Sequence, residues 1–254
     1  MNYLIQITLI QIDNFGPFTE EMGDNREYKI QILLSEVFIS LQKKFNRYGN
    51  LVFLASRDNL IAVSNGISIE DHQLIIDEVE KEFPITVSMG IGVGETPFEA
   101  QIEASKVLVA KGSAQSSRKK VIAYNGHKLP IQNDVMVAHV DINYYTKIAT
   151  DIHPFYSNYL NLNKGYATLM ENFQKIGALC FFSGGDNFIT ICPESMKPSD
   201  LEKILNVFEE KHEPWKLKAG IGVGKNILDA IVKANICLRK IREGNNKEKI
   251  KILN

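Results

Sequence analysis

The chain predicts an α+β protein that is a tandem duplication of one domain, each copy an antiparallel sheet backed by helices. Three observations predict it. Leu9-Ile10-Gln11-Ile12-Asp13-Asn14 is repeated, with variation, as Val137-Ala138-His139-Val140-Asp141-Ile142-Asn143. The stretch 52–61 is likewise repeated at 180–189, and the spacing from Asp13 to Asp141 equals that from Asp58 to Asp186. Gly90-Ile91-Gly92-Val93-Gly94 then recurs word for word as Gly220-Ile221-Gly222-Val223-Gly224, at a spacing two residues longer.

Each copy yields the same order of elements. In the first, 4–12 reads as a strand, 28–45 as a helix, 51–55 and 60–63 as a hairpin, and 70–82 as a second amphipathic helix. Residues 85–93 read as a strand, 97–110 as a helix with Pro97 near its first turn, and 121–124 as a closing strand. The second copy repeats this with a strand at 135–140, a helix at 155–176 and a hairpin closed by Gly184-Gly185-Asp186-Asn187. A helix at 200–211, a strand at 217–223, a helix at 227–241 and a strand at 250–253 complete it. The polar, Gly/Pro-containing stretch 125–130 separates the copies, so domains are expected at 1–126 and 131–254. The unit, β-α-β-β-α-β with an added α-β, is ferredoxin-like in topology.

Bulk properties narrow the function. Among 254 residues, 44% are hydrophobic and 23% charged, which is enough apolar material for packed cores. Lys plus Arg number 29 against 30 Asp plus Glu, so no global basic field exists to hold nucleic acid. Cys180, Cys192 and Cys237 form neither a disulfide framework nor a zinc spacing. The first two lie symmetrically about Asp186 and are expected to face one another across the hairpin as buried thiols in a reducing compartment. The first residues lack a signal-peptide pattern, and no run of 18 apolar residues occurs. These features lead us to expect a cytoplasmic protein with no membrane or nucleic-acid partner. Exposed sheet edges point to a homo-oligomer.

The chemistry concentrates on two carboxylates. Asp186, at a hairpin tip with no aliphatic neighbour, is either solvated or bound to a cation. Asp141 ends an apolar strand that this topology places beside the hairpin. Two carboxylates brought together repel unless a cation lies between them. Mg²⁺ suits such a site, because it takes one or two carboxylates and completes its shell with water and phosphate oxygens. Either Asp alone also reads as a turn former; the recurrence of the pair as Asp13 and Asp58 favours the cation. The turn Asn143-Tyr144-Tyr145-Thr146 offers backbone N–H groups to phosphates. Alternate glycines in the Gly-Ile-Gly-Val-Gly strands match neither a dinucleotide fingerprint nor a Walker loop. They let a helix or a ligand approach the backbone. Lys233, Arg239, Lys240 and Arg242 on the last helix read as a solvated face or as a reach toward a triphosphate. His139 projects on the same sheet face as Asp141, as a core histidine, a supporting partner or a catalytic base.

With Asp141-Ile142-x-x-Tyr145-Thr146 and Gly184-Gly185-Asp186-Asn187-Phe188, the chain resembles the nucleotide-cyclase superfamily of palm-like folds, class III cyclases and GGDEF diguanylate cyclases included. The tandem arrangement, both Asp pairs and both glycine strands are similar to the archaeal GTP cyclohydrolase III family over essentially the whole chain. That resemblance implies GTP as substrate and Mg²⁺ as cofactor, two or more ions, with a monovalent cation left open. It implies that Asp141, the Ile142 carbonyl and Asp186 hold metal, with Asp13 and Asp58 as further candidates. Residues 143–146, Asn187, Lys233 and Arg242 would bind the nucleotide, and His139 would join Asp141 and Asp186 in catalysis. The family reaction opens the guanine imidazole ring and releases two phosphates, leaving a formylamino-pyrimidine ribonucleotide monophosphate. A diguanylate or mononucleotide cyclase, or a silent nucleotide-binding module, is the alternative. Asn187 replaces the acid that follows the metal carboxylate in diguanylate cyclases, which favours water as nucleophile over a ribose hydroxyl. Arg57 beside Asp58 would compete with a cation, which favours the second copy as the metal site.

Overall fold

The computed structural model describes residues 4–56, 58–115, 118–127, 129–130, 134–244 and 248–253. Arg57, Lys128 and residues 131–133, which figure in the hairpin and boundary expectations, lie outside the described residues. The chain forms two compact units, residues 1–95 with 99–133 and residues 96–98 with 134–254.

The first unit runs β1 (Ile5–Ile12), α1 (Phe15–Glu21), α2 (Glu27–Asn46), β2 (Leu51–Leu54), β3 (Asn59–Val63), α3 (Ile69–Glu82), β4 (Val87–Gly94), α4 (Pro97–Val109) and β5 (Ile122–Tyr124). The second runs β6 (Val135–Ile142), a π-helical turn (Thr146–Thr150), α5 (Phe155–Gln174), β7 (Leu179–Gly184), β8 (Asn187–Cys192), α6 (Pro198–Lys211), β9 (Leu217–Gly224), α7 (Ile227–Glu243) and β10 (Ile250–Leu253). The sheets are ordered β2-β3-β1-β4-β5 and β7-β8-β6-β9-β10, so the first strand of each unit is central. Pairing is antiparallel except at one edge, where β5 on β4 and β10 on β9 are parallel. The helical crossover before each closing strand returns the chain in the same direction, which makes that pair parallel. Two short elements have no counterpart in the sequence reading: α1, and the π-helical turn after β6.

Local chemistry sets the helix starts. Ser68 accepts from the Asp71 N–H at 3.0 Å, and Asp71 accepts in return from the Ser68 N–H. Asn226 caps α7 by accepting from the Asp229 N–H at 2.9 Å. In the second unit one sheet face carries Met136, Ala138, Val140 and Ile142 into a core with Leu169, Phe173, Leu205 and Phe208. Strand alternation turns Val135, Val137, His139 and Asp141 to the other face. There the glycines let α7 lie directly on the strand: a Cβ on Gly222 would overlap the backbone of Ala230 and Ala234. The glycine repeat is therefore a packing device, and α7 is seated rigidly over the face that carries Asp141.

All three cysteines are buried and free. Cys180 is opposite Thr190, and Cys192 pairs with Met136, so the two thiols share one sheet face as diagonal neighbours and are not directly opposed as their symmetry suggested. The two-residue turn is centred between Gly185 and Asp186, and a bulge between Phe182 and Gly184 shifts the register further. Burial pushes the Cys180 thiol up to about 12. Among the described residues no helix is long and apolar enough to cross a membrane.

Candidate active site

Asp141, on the central strand β6, is 4% exposed and lies between Asn187 on β8 and Lys218 on β9, its two cross-strand partners. A buried carboxylate needs a counter-charge, and two cations supply it. Lys218 Nζ donates to Asp141 Oδ1 at 2.6 Å, and Arg242 Nη2, reaching from α7, donates to Asp141 Oδ2. Lys218 also donates to Asn143 Oδ1 at 2.9 Å, which ties the turn after β6 to β9. A second tie is the Asn143 N–H donating to the Lys216 carbonyl at 2.7 Å.

Asp186 enters from the β7–β8 hairpin. Gly184 and Gly185 take φ of +107° and +64°, which a side chain would oppose, and this brings Asp186 to the tip. Burial, followed by the negative charge of Asp141, holds the Asp186 carboxyl above its ordinary range. The two carboxylates therefore feel one another. Asn187 Nδ2 faces Asp186 Oδ1 at 3.2 Å.

The third wall is the turn 143–146. Tyr144 sits at φ +56°, a left-handed conformation that a non-glycine residue rarely adopts, and the π-helical turn follows at once. Tyr145 packs edge-on against Trp215, ring centroids 5.6 Å apart. The resulting cleft, about 580 Å³, is lined by Asp141, Ile142, Tyr144, Tyr145, Thr146, Lys147, Asp186, Asn187, Lys218 and Arg242. That volume is in the range of small-molecule sites. A second cleft of about 410 Å³, with Trp215 in its wall, is lined by polar groups that include His153, Asn158, Asn161, Lys164 and His212.

The first unit is built differently at the matching place. Equal spacing equated Asp13 with Asp141, but strand register does not. Asp141 pairs with Lys218 and Asn187, whereas the residue pairing with Ser88 and Asn59 is Gln11. Asp13 instead follows the strand, at the position of Asn143. Its carboxylate accepts from Thr86 Oγ1 at 2.9 Å, Ser88 Oγ at 2.6 Å and the Lys120 N–H at 2.9 Å, with Arg118 Nε 4.0 Å away. Gln11 Nε2 donates to Asn59 Oδ1 at 2.5 Å, and Arg118 Nη2 donates to Gln11 Oε1. Asp58 accepts from Ser56 Oγ at 3.0 Å in the hairpin. A neutral amide thus takes the place of the central carboxylate, and a buried arginine seals it.

The family-model comparison decides the relationship: residues 5–254 match the model described as GTP cyclohydrolase III. The chain belongs to the GTP cyclohydrolase III family. It is 42% identical to GTP cyclohydrolase III of Methanothermobacter thermautotrophicus over 95% of this chain and 96% of that one. It is 42% identical to the Methanocaldococcus jannaschii protein of that name, over 94% and 88% of the two chains. A solved bacterial light-regulated adenylyl cyclase is similar at a TM-score of 0.42 and 8% identity, over 98% of this chain and 85% of that one. That likeness is too slight to carry weight.

In this GTP cyclohydrolase III family member, the cleft brings together Asp141, Ile142, Asp186, Tyr144, Tyr145, Thr146, Asn187 and Arg242. Asn143 braces its floor through Lys218. Four expected residues lie elsewhere. Lys233 Nζ donates to the Val223 carbonyl at 2.7 Å and pairs with Asp229, so it secures α7 to β9. His139 stands behind Asn187, its Nε2 2.9 Å from Asn187 Oδ1. Asp13 and Asp58 belong to the first unit. Lys218 and Lys147 were not foreseen. Lys218 had a signal, since it is the lone charge inside an otherwise apolar strand and must meet a counter-ion when buried; Lys147 had none.

The donor set fits a divalent cation of the Mg²⁺ type. Among the described residues no group of three or more His, Cys, Asp or Glu side chains forms an all-protein cage. Two mutually repelling carboxylates and a carbonyl in a cleft lined by cations are what such an ion uses when substrate phosphates complete its shell.

Proposed function

We propose that the second unit is a GTP cyclohydrolase site in which Asp141, the Ile142 carbonyl and Asp186 hold Mg²⁺. The observation that carries this reading is the convergence of two carboxylates with Lys147, Lys218 and Arg242 in one cleft of a GTP cyclohydrolase III family member. Bound there, the metal would polarise phosphoryl oxygens and lower the pKa of water. The chain's own groups supply the rest. Lys147 and Arg242 neutralise the β- and γ-phosphates, and Arg242 leaves Asp141 to do so. Lys218, fully buried, stays as the fixed counter-ion of Asp141. The turn 143–146 cups the phosphates, its backbone preset by the left-handed Tyr144. The guanine base extends toward the cleft that Trp215 lines, where the exposed Asn161 offers an amide.

The net reaction consumes water at C8, breaks the C8–N9 bond so that the formyl group stays on N7, and hydrolyses two phosphates from the triphosphate. Asn187 cannot act as an anion toward a ribose hydroxyl, which supports hydrolysis over cyclisation. Incubation with GTP and Mg²⁺ is expected to release two phosphates per turnover with a formylamino-pyrimidine product by mass. Pyrophosphate or a cyclic nucleotide would overturn the reading. Asp186→Asn should abolish turnover while the far-ultraviolet circular dichroism stays unchanged.

A further inference from the structure

His139 has no place in the cleft lining, yet it is hydrogen-bonded at both ring nitrogens. Nε2 lies 2.9 Å from Asn187 Oδ1, and Nδ1 lies 2.5 Å from Asn235 Oδ1 on α7. The Asn187 amide can be oriented from its other contacts. Its Nδ2 faces two acceptors, Asp186 Oδ1 at 3.2 Å and the Gly184 carbonyl at 3.4 Å. The nitrogen must therefore face the hairpin and the oxygen must face His139, so His139 Nε2 donates, and Nδ1 accepts from the Asn235 amide once that amide is turned to present its nitrogen. A continuous chain of side chains runs from α7 through Asn235, His139 and Asn187 to Asp186.

The first unit supports a functional purpose for this chain. Its hairpin keeps the equivalent amide, Asn59, but Asn59 Oδ1 is held by Gln11, and Leu9 stands where His139 would be. The histidine accompanies the copy whose central strand carries Asp141. α7 is also packed closely on the glycine strand, with no space for a Cβ. Asp186, in contrast, sits at a two-residue hairpin tip with an exposed glycine before it.

We propose that His139 is a positioning residue: anchored to α7 by Asn235, it locks the Asn187 amide so that Asp186 is held facing Asp141. This rests on the reading of Asp186 as a cation ligand. It gives α7 two duties, since the same helix delivers Arg242 to Asp141. Removing partners that orient a metal ligand costs about 10- to 100-fold in metal affinity.

The test is Mn²⁺ binding, followed by the electron paramagnetic resonance of the free ion in the presence of a non-hydrolysable GTP analogue. His139→Leu, which copies Leu9, is expected to weaken Mn²⁺ binding about tenfold or more, while analogue affinity without metal changes less than about twofold. His139→Gln, whose amide can still donate to Asn187, should recover most of that loss. Asn235→Leu should weaken Mn²⁺ in the same direction by a smaller factor, and it carries the test should His139→Leu not fold. In a double-mutant cycle, His139→Leu and Asn187→Leu should be non-additive. Wild-type Mn²⁺ affinity in His139→Leu or in Asn235→Leu, or full additivity with Asn187→Leu, overturns the proposal. Asp186→Asn separates the two failures. If it binds Mn²⁺ like wild type, the ligand assignment itself is wrong; if it loses Mn²⁺ while His139→Leu does not, only the positioning role is.

Discussion

Lys218→Met is the sharpest probe of how the site is held together. Lys218 is 3% exposed, with Nζ 2.6 Å from Asp141 Oδ1 and 2.9 Å from Asn143 Oδ1. Methionine keeps the length and the apolar stem but removes the charge. Deleting one partner of a buried ion pair costs about 3–5 kcal/mol, because the other charge is left behind. Arg242 still holds the second oxygen of Asp141, through a side chain that is 53% exposed, which places the loss near the lower end, about 3 kcal/mol. With a urea slope of roughly 2 kcal/mol per molar, the midpoint should fall by about 1.5 M. The chain has a single tryptophan, Trp215, buried in the second unit's core. Its fluorescence reports that unit without assuming that the whole chain unfolds in one step. Adding Asp141→Asn to Lys218→Met should recover most of the loss, since a neutral amide needs no counter-ion. A Lys218→Met midpoint within about 0.2 M of wild type, at that urea slope, would refute the assignment of Lys218 as the buried counter-ion.

Further outcomes follow from the same geometry. Gly222→Ala should destabilise the second unit by about 3 kcal/mol, read again by Trp215 fluorescence, because α7 has no room to accept a methyl group. Calorimetry with a non-hydrolysable GTP analogue and Mg²⁺ should give one site per chain; two equal sites would show that Gln11 and Arg118 do not close the first unit. His72 is buried with Nε2 2.8 Å from Thr8 Oγ1 and Nδ1 2.6 Å from the Ser68 carbonyl, and burial lowers its pKa from 6.5 to about 4. The unfolded chain then binds the proton more readily than the folded one, so stability is full above pH 6.5 and is lost as pH falls from there toward 4. The loss amounts to about 2 kcal/mol by pH 5. Differential scanning calorimetry should show that gap between pH 7.5 and pH 5 in the wild type, and His72→Gln should remove most of it.

Much of this molecule is written in local patterns. Apolar alternation, helix-start chemistry and turn glycines act over a few residues, so both hairpins, the repeated element order and the glycine strands could be recognised without coordinates. The glycines also carried their own explanation, because only the absence of a Cβ lets a helix such as α7 reach the backbone. Asp141 and Asp186 were legible as a pair because Asp141 ends an apolar run where a carboxylate is costly, and Asp186 tops the hairpin that the topology places beside it.

The tertiary structure alone decided which residue of the first copy corresponds to Asp141. The choice between Asp13 and Gln11 is a shift of two residues along a strand. Such a shift leaves every side chain on its original face, so hydrophobic alternation cannot detect it. Only the hydrogen-bond register, Gln11 against Asn59 and Ser88 and Asp141 against Asn187 and Lys218, separates the two. The same holds for the charges around Asp141. Lys218 is 77 residues away in sequence and Arg242 is 101. No local pattern links either one to the carboxylate, and they meet it because the fold places β9 and α7 beside β6.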